Sequence, residues 1–127
     1  VRYTLFYLLA GMVATLVYIG LDPSSTIPLV GASGAIAGVM GAYLVLFPQA
    51  RIKTVFFFIF ILIRDVPAWL LLGLWFASQF FIGPESGVAW SAHVAGFVFG
   101  VLAGLVWRAR GLLDAPRRTP PGSPYYA

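Results

Sequence analysis

Two residues of this 127-residue chain could do covalent chemistry within an otherwise apolar sequence: Ser33, in Gly31-Ala32-Ser33-Gly34, and His93, the sole histidine. A serine hydroxyl becomes a nucleophile when a base takes its proton, and an imidazole within about 2.6–3.2 Å can be that base. Such a pair would carry out acyl transfer at a carbonyl. Each residue also has a plainer reading. Serine packs between helices as a small residue, and a histidine can bond a carbonyl across a helix interface. An ionisable group inside an apolar segment is costly, so the functional reading is the default. No carboxylate joins them: Asp22, Asp65, Glu85 and Asp114 all fall in loops or at segment boundaries. Helix packing, without a third residue, is expected to orient the imidazole.

The elements that must carry these two residues follow from composition. The chain is 61% hydrophobic and 9% charged, with a mean hydropathy of +0.93, too little charge for a soluble domain. It has no cysteine, which excludes disulfides and thiolate metal sites; no metal and no cofactor is called for. A membrane-spanning helix needs about 20 apolar residues. Residues 3–20 form the first candidate and end in the turn cluster Leu21-Asp22-Pro23-Ser24-Ser25. Residues 32–47 form a second, short one closed by Pro48. It is expected to start below the membrane surface, entered by a buried loop that lines a cavity. Residues 55–82 are too long for one span, about 42 Å against a hydrocarbon core of roughly 30 Å. Arg64-Asp65-Val66-Pro67 divides them into an interfacial or partly inserted segment, 55–63, and a third span, 66–82, begun by proline. The fourth span covers 88–107. The expected fold class is all-α, a polytopic transmembrane helix bundle over residues 1–110. A Pro- and Arg-rich, disordered cytoplasmic tail, 111–127, follows it.

Formal net charge is +4, but its placement argues against nucleic acid as a partner. The basic residues Arg2, Arg51, Lys53, Arg64, Arg108, Arg110, Arg117 and Arg118 precede the first span, separate the second from the third, or follow the fourth. The loops 21–31 and 83–87 have none. By the positive-inside rule both chain ends and the middle loop face the cytoplasm. Ser33 then lies about 15 residues above Pro48, and His93 about 15 above Arg108. Each sits roughly 22 Å above the cytoplasmic boundary, about 8 Å beneath the outer one. The depths match. Small residues let the two helices approach: Gly34, Gly38 and Gly41 on the second span, Gly96, Gly100 and Gly104 on the fourth.

With these residues in view, the chain resembles the rhomboid family of intramembrane serine proteases. The likeness is carried by Gly31-Ala32-Ser33-Gly34-Ala35-Ile36-Ala37-Gly38-Val39-Met40-Gly41-Ala42-Tyr43 and by Ala92-His93-Val94-Ala95-Gly96-Phe97-Val98-Phe99-Gly100. Arg2-Tyr3 leading into Phe6-Tyr7-Leu8-Leu9-Ala10-Gly11, and Pro67-Ala68-Trp69-Leu70 leading into Gly73-Leu74-Trp75-Phe76, look like bacterial members. The resemblance implies that the four spans are the third to sixth helices of a six-helix core. It implies Ser33 as nucleophile, His93 as general base, and transmembrane protein segments as substrates within the bilayer of a bacterial cytoplasmic membrane. The third span would be a lateral substrate gate, with Trp75 and Phe76 as its candidate residues; the plainer reading makes them lipid-facing aromatics. Backbone N–H groups of Ser33 and Ala32 would hold part of an oxyanion.

The sequence also departs from the family pattern. The chain opens on Val1-Arg2-Tyr3, with no initiator methionine and no signal peptide, and is expected to be a piece of a longer protein, inactive alone. The family's first two helices, with their oxyanion-binding His and Asn, have no counterpart. Ala37 stands where many members have an aromatic under the histidine, so the ring must be held in another way. Two rival readings differ in class. One is a non-catalytic rhomboid-like protein that binds membrane clients. The other is a transporter or channel segment using Ser33, His93 and Gln79 as a polar path. Nothing in the sequence specifies an oligomeric state.

Overall fold

A computed structural model describes residues 2–26, 28–57, 61–82 and 86–111. It is an all-α bundle with one added hairpin. Helix α1 covers Arg2–Leu21 and α2 covers Ser33–Leu46. The hairpin strands β1, Arg51–Phe57, and β2, Ile61–Pro67, come next, followed by α3, Ala68–Ser78, and α4, Trp90–Ala109. A 3-10 turn, Gln79–Phe81, extends α3. The tail from residue 112 onward, Glu85 and Asp114 lie outside the described residues.

Helices α1 and α4 have 20 residues each, long and apolar enough to cross a membrane. Helix α2 has 14, about 21 Å of rise. Their outward faces are apolar: Leu5, Leu9, Met12 and Leu16 on α1, and Val98, Leu102 and Leu105 on α4, are all exposed. Contiguous apolar surface of that kind has no stable place in water. It suits lipid.

Side-chain contacts give the helix directions. Phe6, early in α1, meets Trp107, late in α4, at a ring separation of 4.8 Å. Tyr18, late in α1, clusters with Ala92, early in α4. These two helices are therefore antiparallel. Helices α2 and α4 run parallel, because Gly34 faces Gly96 and Gly38 faces Gly100. Ser33 and His93 consequently occupy the same end of the bundle, and Arg2 and Arg108 the other. Arg108 also donates from its guanidinium to the carbonyl oxygen of Val45 at 3.4 Å, one of the carbonyls that the end of α2 leaves unpaired.

The segment between α2 and α3 differs from expectation. Residues 55–57 and 61–63 supply parts of two antiparallel strands whose register sets Lys53 opposite Asp65 and Thr54 opposite Arg64. The third helix starts at Ala68 rather than at residue 66, with Pro67 as its cap residue in extended conformation. The physical reason lies in composition: Val, Ile, Phe and Thr suit a pleated ladder better than a helix. The hairpin base then closes on the helix. Ala68 N–H donates to the Ala50 carbonyl at 2.8 Å and Trp69 N–H to that of Pro48 at 3.1 Å, pairing donors that the start of α3 would leave orphaned.

Candidate active site

The site is built on backbone approach. A side-chain carbon added at Gly96 would collide with the carbonyl oxygen of Gly34, and one added at Gly100 with that of Gly38. At Gly41 it would strike the Phe97 carbonyl, and at Gly104 it would come within 3.1 Å of the Val45 side chain. Gly34 and Gly38 thus meet Gly96 and Gly100 at a four-residue repeat, while Gly41 and Gly104 meet other residues of the facing helix. Helix α1 joins from the other side: the methyl groups of Ala14 and Ala10 face Gly34 and Gly38, and that of Ala35 faces Gly11. The sequence offered the signal for this third layer, small residues at positions 10, 11 and 14 of one helix.

Gly31 introduces α2 with φ of +98°, a conformation that side chains with a Cβ avoid. Ala32 follows as the cap residue without a side-chain cap bond, and Ser33 opens the helix. The N–H groups of Ala32 and Ser33 have no acceptor inside α2, because they precede its first full turn. Ser33 Oγ lies 2.8 Å from His93 Nε2. The two residues are thus brought together, one exposed and the other half-buried.

The imidazole is held on its far side as well. His93 Nδ1 is 2.8 Å from Oε1 of Gln79, a residue only 4% exposed. Gln79 Nε2 donates to the Trp75 carbonyl at 3.1 Å and to Ser78 Oγ at 3.2 Å. The indole of Trp75 lies against the imidazole, with ring centroids 6.0 Å apart and 39° between planes. Packing alone therefore does not orient the ring, contrary to expectation. A side chain on the 3-10 turn does so, and Trp75 supplies the ring contact that Ala37 has no aromatic to make. Ala37 itself is fully buried in a cluster with Ala68, Leu72 and Phe97. The signal for Gln79 was present: an amide in an apolar run must find partners or bear a cost of about 1–3 kcal/mol.

Trp75 and Phe76 are both half-buried against α4, Phe76 stacking on Phe97 at 4.6 Å between centroids. Beside Ser33 an open cleft of about 270 Å³ is lined by Tyr7, Thr15, Leu29, Gly31 and Ala32 among others. The loop entering α2 thus lines a cavity, although Leu29 and Val30 are exposed rather than buried. Among the described residues no three metal-ligating side chains converge.

A family model described as Rhomboid domain matches residues 1–110. No curated protein and no solved structure matches the chain.

Proposed function

The chain belongs to the rhomboid family of membrane proteins, and we propose that it acts there as an intramembrane serine endopeptidase with Ser33 as nucleophile and His93 as general base. The observation that carries this reading is the 2.8 Å separation of Ser33 Oγ and His93 Nε2, within reach of direct proton transfer. Ser33 attacks a peptide carbonyl while His93 takes the hydroxyl proton, then returns it to the leaving amine; water repeats the cycle on the acyl-enzyme. The N–H groups of Ser33 and Ala32, which have no acceptor within α2, stabilise the oxyanion as it develops. A substrate segment enters the cleft beside Ser33 in extended form, since a helix hides its carbonyls in its own hydrogen bonds.

The helices cross the membrane several times. The end bearing Arg2, the hairpin base and Arg108 faces the cytoplasm, and the dyad lies nearer the outer surface. Trp75 and Phe76, on the seam between α3 and α4, part to admit substrate from the lipid. Two measurements on the full-length protein in bilayers test the proposal: labelling by a fluorophosphonate and cleavage of a transmembrane substrate. Wild type gives both and Ser33→Ala gives neither. Client binding without labelling would instead mark a non-catalytic rhomboid relative, and solute flux without labelling a transporter segment.

A further inference from the structure

We propose that Gln79 is a positioning residue that holds His93 in the tautomer able to accept the proton of Ser33. The inference rests on the protease reading and adds a third side chain to it. The network runs outward from the Trp75 carbonyl, which can only accept. Ser78 Oγ donates to that carbonyl at 2.6 Å, which uses its only proton and leaves lone pairs facing Gln79. The Gln79 nitrogen lies against both acceptors, at 3.1 and 3.2 Å. Turning the amide over would press its oxygen against two oxygens, so the amide orientation is set by the network. Its oxygen is then the atom that meets His93 Nδ1, at 2.8 Å. An amide oxygen accepts only, so Nδ1 carries the proton. In a neutral imidazole the other nitrogen is then bare, and that nitrogen is the one 2.8 Å from Ser33 Oγ. The free base faces the hydroxyl.

Gln79 suits its place in two further ways. Its anchors, Trp75 and Ser78, belong to the same last turn of α3, so the acceptor moves with a rigid element. It is also neutral: a carboxylate at 4% exposure would be a buried charge in the resting site. The amide keeps its hydrogen bond when the ring becomes imidazolium.

Histidine labelled with ¹⁵N, in protein purified without a polyhistidine tag and placed in bilayers, gives imidazole signals whose tautomers can be read by NMR, and the signal lost in His93→Ala is that of His93. Wild type is expected to carry its proton on Nδ1. Gln79→Leu, of similar volume but without an acceptor, releases that preference and lowers kcat on a transmembrane substrate about 10–100-fold at unchanged KM. Gln79→Glu, neutral when protonated on the oxygen that faces the Trp75 carbonyl, keeps an acceptor on Nδ1 and so retains the tautomer. Gln79→Asn, whose amide falls a methylene short of the ring, gives the Gln79→Leu result should that variant fail to fold. A wild-type ring protonated on Nε2, or tautomer and kcat both indifferent to Gln79→Leu, overturns the inference. Cleavage that survives Ser33→Ala overturns the protease reading instead, and the tautomer still reports on Gln79.

Discussion

The carbonyl oxygen of Gly38 occupies the space into which any side chain at Gly100 would extend. Backbone stands directly against backbone there, so neither partner can swing aside as a flexible side chain would. Four residues back, the Gly34 carbonyl stands in the same relation to Gly96, and Ser33, one residue before Gly34, meets His93, three residues before Gly96. The spacing of the proposed dyad is thus inherited from the glycine contacts beneath it.

Gly100→Ala is accordingly expected to push α2 and α4 apart, at about 1–3 kcal/mol of stability. Thermal unfolding in detergent should show the loss. Fluorophosphonate labelling should fall as well, because parting the two backbones lengthens the bond between Ser33 and His93.

The proposed dyad acts as a unit, so its members should not contribute additively. Ser33→Ala and His93→Ala are each expected to lower kcat by about 10⁴-fold or more, and the double variant by no more than either alone. Single-turnover cleavage of a transmembrane substrate measures this. A double variant far worse than both singles would mean that the two residues act independently.

Gly31 has φ of +98°, and no atom lies within 4 Å of the space a side chain would fill. Gly31→Ala is therefore a test of backbone conformation rather than of crowding. A cost of about 1–2 kcal/mol is expected, together with reduced labelling as the start of α2 turns. Gly31→Asn should be milder, since asparagine tolerates positive φ better than alanine does.

Phe76 stacks on Phe97 across the seam between α3 and α4. If that seam is the substrate gate, Phe76→Ala should raise turnover of a transmembrane substrate while small-probe labelling of Ser33 stays unchanged. Equal loss of both activities would assign Phe76 to packing alone.

Much of this arrangement is legible along the chain. The runs that become α1, α2 and α4 are apolar and bounded by Pro, Gly or charge, so each expected boundary falls within about two residues of the helix found. The approach of Ser33 to His93 is legible too, because two glycine series at helical spacing mark the faces that touch. The hairpin is not. An apolar run from Val55 to Ile63 without Gly, Pro or Asn has no turn signal, and its hydrophobicity suits a strand or a buried helix equally. Pairing decides between them, and pairing is made by a partner strand.

What the sequence determines by itself is therefore the set of apolar helices, the small-residue faces and the two reactive side chains at one end of the bundle. These follow from local periodicity and composition, which each segment carries within itself. Only the tertiary structure decides that Ala10 and Ala14 close the interface from a third helix, that 51–57 pairs with 61–67, and that Gln79 meets the far nitrogen of His93. Each of these depends on which surfaces face each other once backbones pack. A hydrogen bond between residues 14 positions apart has no periodic trace, because its geometry is set by the crossing of two helices and by the short turn that ends one of them.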